Sequence, residues 1–251
     1  MALFETRGLT RRFLGVTAVD GVDLAVEAGE LVSLIGPNGS GKTTLFNCVT
    51  GYLAPDGGRV LFRGQDVTGV APHRIAHLGV GRTFQLVSVF PRLSALENLL
   101  TFLQQHQEER FVGRLVRAPG VRRLEAAAVE RARSLLESVG LGARASAPAG
   151  TLSYGQRKLL AFAAALMPDP ELLLLDEPAA AVNPTMIEQM KAQIRALHRA
   201  GKTVLLVEHN MDVVMDISQR VVVLDHGQKI AEGPPEVVRR DPKVIEAYFG
   251  R

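Results

Sequence analysis

The chain has 251 residues, of which 47% are apolar and 22% charged, with a formal charge of +3. That balance excludes disordered, fibrous and collagen-like chains and leaves room for one large domain or two modest ones. The longest uniformly apolar runs, such as Ala161–Met167, fall far short of the roughly 20 residues that cross a bilayer. The expectation is a chain without leader or membrane span, and a lone Cys48 excludes a disulfide framework and points to a reducing cytosol.

In chain order, Glu30–Ile35 predicts a short buried strand, followed by a glycine-rich turn and a helix over Lys42–Val49. Arg59–Phe62 predicts a strand of a small antiparallel sheet. Beyond Val89, Leu93–Gln105 and Val121–Ser138 have helical spacing, with Pro119-Gly120 as a break between them, and Arg157–Met167 is helical again. Strand patterns return at Glu171–Asp176, Thr203–Val207 and Val221–Leu224, separated by helices over Thr185–Ala200 and Met211–Ile217. Short apolar runs alternating with helices predict an α/β fold with a mainly parallel sheet covered on both faces. The expected organisation is a discontinuous core, residues 1–88 and 163–251, with an α-helical subdomain inserted at 89–162.

Residues 101–135 hold seven Arg and four Glu, a local charge of +3, whereas the rest of the chain is balanced. Such a segment is either a solvated helix face or a docking surface for an anionic partner. A pI of about 9.2 does not point to nucleic acid, because no basic stripe is interleaved with aromatics and Trp is absent.

Three constellations carry chemistry. Residues 36–43, Gly-Pro-Asn-Gly-Ser-Gly-Lys-Thr, fit G-x-x-x-x-G-K-[ST] between a predicted strand and a predicted helix. Glycines let successive backbone N–H groups converge on phosphate oxygens, and the helix N-terminus adds a positive dipole end. Lys42 is placed to reach the β- and γ-phosphates and the Thr43 hydroxyl to ligate Mg²⁺. Second, the apolar run before Asp176 puts that carboxylate at a strand end, where it can hold Mg²⁺, with Glu177 beside it to activate water; such a general base contributes about 10²–10⁴-fold in rate. Third, Ser153, Tyr154, Gly155 and Gln156 precede a helix. Ser153 and Gln156 have the spacing of a capping box, and the alternative reading is a second phosphate site, which requires a second copy of the chain.

With these motifs in this order, the sequence resembles the nucleotide-binding subunits of ABC transporters over nearly its whole length. The resemblance implies a P-loop core with an antiparallel β part and a helical subdomain, and an ATPase that binds ATP and Mg²⁺. By that resemblance, Gly36, Pro37, Asn38, Gly39, Ser40, Gly41, Lys42, Thr43 and Thr44 cradle the phosphates, and Phe13 stacks on adenine. Leu152–Gln156 is similar to the family signature, so Ser153, Tyr154, Gly155 and Gln156 would face a nucleotide. Asp176, Thr43 and Gln85 would attend the metal, and Glu177, Gln85 and His209 the hydrolysis. The strings Arg82–Gln85, Leu96–Leu100, Glu177–Pro184, Glu208–Asp212 and Glu246–Gly250 look most like branched-chain amino acid import subunits, with urea and amide importers close behind.

Such a protein is expected on the cytoplasmic face of the inner membrane. Its implied partners are a second ATPase subunit, membrane-spanning permease subunits and, indirectly, an extracytoplasmic solute-binding protein, with no nucleic acid. Lipopolysaccharide-type exporters and soluble ABC ATPases acting on ribosomes or DNA are the rival readings. Two departures from the family pattern stand out: Tyr154 in the signature, and Ala181, Val182 and Asn183 where the family usually has Gly, an aliphatic residue and Asp, Asn183 being like the importer branch.

Overall fold

The computed structural model describes residues 2–83, 89–104 and 119–249. Two sheets organise it. β1 (Ala2–Phe13), β2 (Val16–Glu27), β4 (Gly57–Phe62) and β5 (Gln65–Asp66) form an antiparallel sheet in the order β2-β1-β4-β5. The second sheet runs β10-β9-β3-β8-β7-β6, built from β3 (Leu31–Ile35), β6 (Val80–Arg82), β7 (Leu172–Asp176), β8 (Thr203–Val207), β9 (Arg220–Asp225) and β10 (Gln228–Gly233). All its neighbours pair in parallel except the edge pair β9–β10. Every residue of β3, β7 and β8 is buried, which is why these strands read as unbroken apolar runs rather than alternating ones.

Nine helices are described: α1 (Lys42–Val49), α2 (Pro72–His77), α3 (Ala95–Gln104), α4 (Pro119–Ser138), α5 (Tyr154–Leu166), α6 (Pro184–Arg199), α7 (Met211–Ile217), α8 (Pro235–Val238) and α9 (Pro242–Phe249). One face of the parallel sheet, through Leu173, Leu175, Val204 and Leu206, packs with α3, α4, α5 and α6. The opposite face, through Leu34, Leu172, Leu174, Leu205 and Val207, packs with α1 and the antiparallel sheet. The sheet is thus covered on both sides, as the alternating pattern predicts. Among the described residues no helix is long and apolar enough to cross a membrane.

The structure corrects one local expectation. Pro119 and Gly120 are the first positions of α4, not a break before it. Proline suits a first helical turn, because its missing N–H would have no intrahelical partner there.

Candidate functional site

The carboxyl ends of three adjacent parallel strands, β3, β8 and β7, place three of the motifs on one edge of the sheet. Residues 36–44 follow β3, Glu208 and His209 follow β8, and Asp176-Glu177 ends and follows β7. Open parallel sheets bind ligands at this edge.

The phosphate loop is shaped by close backbone approach. Gly36 has φ 151°, and a Cβ there would lie 2.1 Å from the Leu224 carbonyl oxygen on β9. Gly41, at φ 101°, would bring a Cβ to 2.2 Å from the Ala18 carbonyl oxygen on β2. A side chain at Gly36 would push the loop off β9, and one at Gly41 would push it off β2. Gly41 is also the N-cap of α1 and supplies no capping side chain, so the helix presents its first N–H groups to the loop. Lys42 is buried and its Nζ donates to the carbonyls of Gly36 (2.8 Å) and Pro37 (2.9 Å) and to Ser40 Oγ (3.2 Å). Burial pulls the Lys42 ammonium below its usual range, opposed by the Glu177 and Asp176 carboxylates. Thr43 is exposed and Thr44 half-buried.

Asp176 is 5% exposed and accepts from Arg82 Nη2 at 3.1 Å, while Arg82 is itself 7% exposed. The same guanidinium donates through Nη1 to Asn47 Oδ1 (2.8 Å), Thr50 Oγ1 (2.7 Å) and the Phe46 carbonyl (3.3 Å). Arg82 therefore ties β6 and β7 to the last turn of α1. Burial pushes the Asp176 carboxyl up from its usual range, and Arg82 works against that shift. Glu177 Oε2 lies 3.8 Å from His209 Nδ1, and His209 is exposed. Glu177 adopts φ 48°, a left-handed conformation unusual for a residue with a side chain.

Residues 153–156 open α5, a different helix from the one opened by the phosphate loop. The capping box is closed: Ser153 Oγ accepts from the Gln156 N–H at 3.2 Å, and the Ser153 N–H donates to Gln156 Oε1 at 3.0 Å. Gly155 packs closely on α6: a Cβ there would meet Met186 Sδ at 2.2 Å, so that methionine would have to move. The bulky Tyr154 is 42% exposed, and its ring lies 5.8 Å from Lys158 Nζ one turn on. Phe13, at the end of β1, is 39% exposed and carries the Arg11 guanidinium at 4.8 Å from its ring, so it is not a core residue. Gln85 lies outside the described residues.

Three charged residues here were given no role by the sequence reading: Arg82, Lys158 and Glu208. Lys158 had a signal, because it stands on the stripe of Gly155, Leu159 and Phe162 that α5 buries. Glu208 is fully buried after a fully buried strand and accepts backbone N–H groups on both oxygens. Its bond to the Ala179 N–H, like the bonds of Arg82, reaches another segment and leaves no local pattern.

The oxygen donors at this edge, the Thr43 hydroxyl and the Asp176 carboxylate, suit a hard dication such as Mg²⁺. The uncapped α1 terminus, Lys42 and the glycine backbone suit phosphates. Comparison with known proteins agrees. Residues 19–180 match the family model described as ABC transporter, and residues 228–251 one described as branched-chain amino acid ATP-binding cassette transporter. The chain is 46% identical over 249 residues to the high-affinity branched-chain amino acid transport ATP-binding protein BraF of Pseudomonas aeruginosa, covering 99% of this chain and 98% of that one. It is 42% identical over 251 residues to LivG of Escherichia coli K12, covering 99% and 98%. Among solved structures, a nucleotide-free ATP-binding cassette from an ABC transporter aligns with a TM-score of 0.86 at 36% identity, covering all of both chains. The ADP conformation of the cassette MJ1267 aligns with a TM-score of 0.85 at 35% identity, also covering all of both. This chain belongs to the ATP-binding subunits of the ABC transporter family.

Proposed function

We propose that the chain is the ATP-hydrolysing subunit of an importer for branched-chain or related amino acids. The observation that carries the reading is the meeting of residues 36–44, Asp176-Glu177 and His209 at one sheet edge. In this reading the loop N–H groups and Lys42 take the phosphates, Lys42 exchanging its own loop carbonyls for the β- and γ-oxygens. Thr43, Asp176 and Gln85 would hold Mg²⁺, which would supply positive charge beside the phosphate oxygens. Phe13 receives the adenine. Glu177 takes the proton of the attacking water, and His209, 3.8 Å from it, contacts the γ-phosphate.

Residues 153–156 complete the site of a second subunit. The closed capping box does not compete with that role, because it occupies the Gln156 N–H and leaves the N–H groups of Tyr154 and Gly155 at the helix start. The chain then works as a nucleotide-sandwich dimer, homomeric or paired with a related ATPase, at the cytoplasmic face of the inner membrane.

The helical part at 89–162 is the inserted subdomain. A groove of about 380 Å³ at its seam with the core, lined by Tyr52, His73, Ile75, Arg82, Phe102 and Pro170, supports docking of a permease segment there. A solute-binding protein outside the membrane would select the amino acid.

Deleting the gene in its source organism and following uptake of labelled solutes tests the substrate class. Loss of leucine, isoleucine and valine uptake with intact urea and amide uptake is expected. Loss of urea or amide uptake instead, or a lipid-export defect with normal uptake, would overturn the assignment.

A further inference from the structure

The loop that carries Glu177 is held from both sides by buried charges. On one side, Lys158, 7% exposed, has three donors and aims all of them at main-chain carbonyls: Glu177 at 3.0 Å, Pro178 at 3.3 Å and Ala180 at 2.5 Å. On the other side, Glu208, 0% exposed, accepts from the Ala179 N–H at 2.8 Å through Oε1. Its Oε2 accepts from the N–H groups of His209 at 2.9 Å and Asn210 at 3.0 Å. Between them, Glu177 N–H donates to the Val207 carbonyl at 2.9 Å and Ala180 N–H to the Glu177 carbonyl at 3.2 Å.

The arrangement is unusual in its chemistry. A lysine and a glutamate are both removed from water, yet Lys158 spends its hydrogen bonds on the carbonyls of the turn, and Glu208 spends its own on one N–H of the turn and two N–H groups of its own segment. Interior polar groups are retained at such cost only where their bonds are made. What the bonds hold is a strained turn, with Glu177 at φ 48° and Ala181 at φ 57°. Such conformations persist where the surroundings over-determine them. The centroid of the Tyr154 ring lies 5.8 Å from the lysine nitrogen, one turn away on the same helix.

We propose that Lys158 and Glu208 are positioning residues for hydrolysis: together they clamp the backbone of residues 177–180 and thereby set where the Glu177 and His209 side chains point. This rests on the reading of Glu177 as the base. Lys158 acts on the carbonyl edge of the turn. Glu208 acts on its N–H edge and, through the His209 N–H, fixes the histidine relative to the same turn. Neither touches the reacting atoms.

The test is steady-state ATP hydrolysis by the full chain, with nucleotide affinity and melting temperature measured on each variant. Lys158→Met keeps the stem and removes the donors; it lowers kcat about 10²-fold, the cost of a misplaced catalytic group, with ATP affinity within about threefold of wild type. Lys158→Arg, which returns donors at the same place, recovers part of that kcat. Glu208→Gln, which turns an amide NH₂ toward backbone N–H groups, lowers kcat in the same direction. In a Glu177→Gln background, Lys158→Met changes the residual turnover by less than about twofold, because the clamp acts through the side chain already removed.

If Lys158→Met fails to fold, Lys158→Arg and Glu208→Gln carry the same comparison. Variants that lose melting temperature but keep kcat per folded molecule would overturn the clamp. So would an undiminished cost of Lys158→Met in the Glu177→Gln background. Near wild-type turnover by Glu177→Gln alone would instead overturn the role of Glu177.

Discussion

Replacing Arg82 by Met probes the link from β6 and β7 to α1. The substitution keeps volume but removes the cation from a pair in which Arg82 is 7% and Asp176 5% exposed. Removing one partner of a buried pair leaves the other charge uncompensated, at a cost of about 3–5 kcal/mol. Asn47 and Thr50 also lose a donor, but they share the cavity and their costs do not simply add. For a domain of this size the loss corresponds to a drop of roughly 6–20 °C in melting temperature.

The pH dependence follows from the direction of the Asp176 shift. Burial already raises its pKa, Arg82 opposes the rise, and the variant raises it further. A carboxyl whose folded pKa lies above its unfolded value binds the proton more tightly when folded, so stability falls as pH rises through that interval. The deficit of Arg82→Met is therefore smaller at about pH 5 than at about pH 8. Calorimetric unfolding of wild type and variant across this range, without nucleotide and with MgATP, measures it. On the proposed reading of Asp176 as a Mg²⁺ ligand, MgATP would restore part of the stability by bringing positive charge back to that carboxylate. A pH-independent loss below about 1 kcal/mol would refute the account of Asp176 as a buried anion held by Arg82.

Two further expectations follow from local geometry. Phe13→Ala weakens ATP binding by about 1–3 kcal/mol, the range for a base stacked on an aromatic ring, while melting without nucleotide is unchanged because the ring is 39% exposed; equal affinity in a fluorescent-nucleotide titration would contradict stacking. Ala181→Gly relieves a left-handed residue at φ 57°, worth about 1–2 kcal/mol, against about 0.4–1 kcal/mol of added unfolded-state freedom. Ala181 is exposed, so little packing is lost and the net gain of about 0–1.6 kcal/mol raises melting by up to roughly 6 °C; a fall would show that the alanine methyl makes a contact that outweighs the strain.

The elements that sequence reading located are those with a strong period or a strict motif. Residues 36–43 and the run ending at Asp176 lie within a residue of their expected positions, and α7 spans Met211–Ile217 as the spacing predicts. β1 and β2 escaped notice for a physical reason. They form a long hairpin whose pairing shifts register between Thr6 and Leu9, again to Arg11 and again to Arg12, so alternation is repeatedly reset. β6, only Val80–Arg82, is too short to show a period. The helix interior holding Lys158 was legible as a helix, but the meaning of a lysine on its buried stripe depends on carbonyls at 177, 178 and 180. Only the fold brings those groups to it. The departure at Ala181, by contrast, was visible in the sequence, and the structure gives it a cost.

The central claim is that hydrolysis depends on Glu177 at the shared edge of β3, β8 and β7. The most direct measurement is steady-state ATP hydrolysis by Glu177→Gln alongside its MgATP affinity. The account predicts turnover lower by at least about 10²-fold, with affinity retained through Lys42, Thr43 and Asp176 and with ATP-bound dimers accumulating. Turnover near the wild-type rate would contradict it.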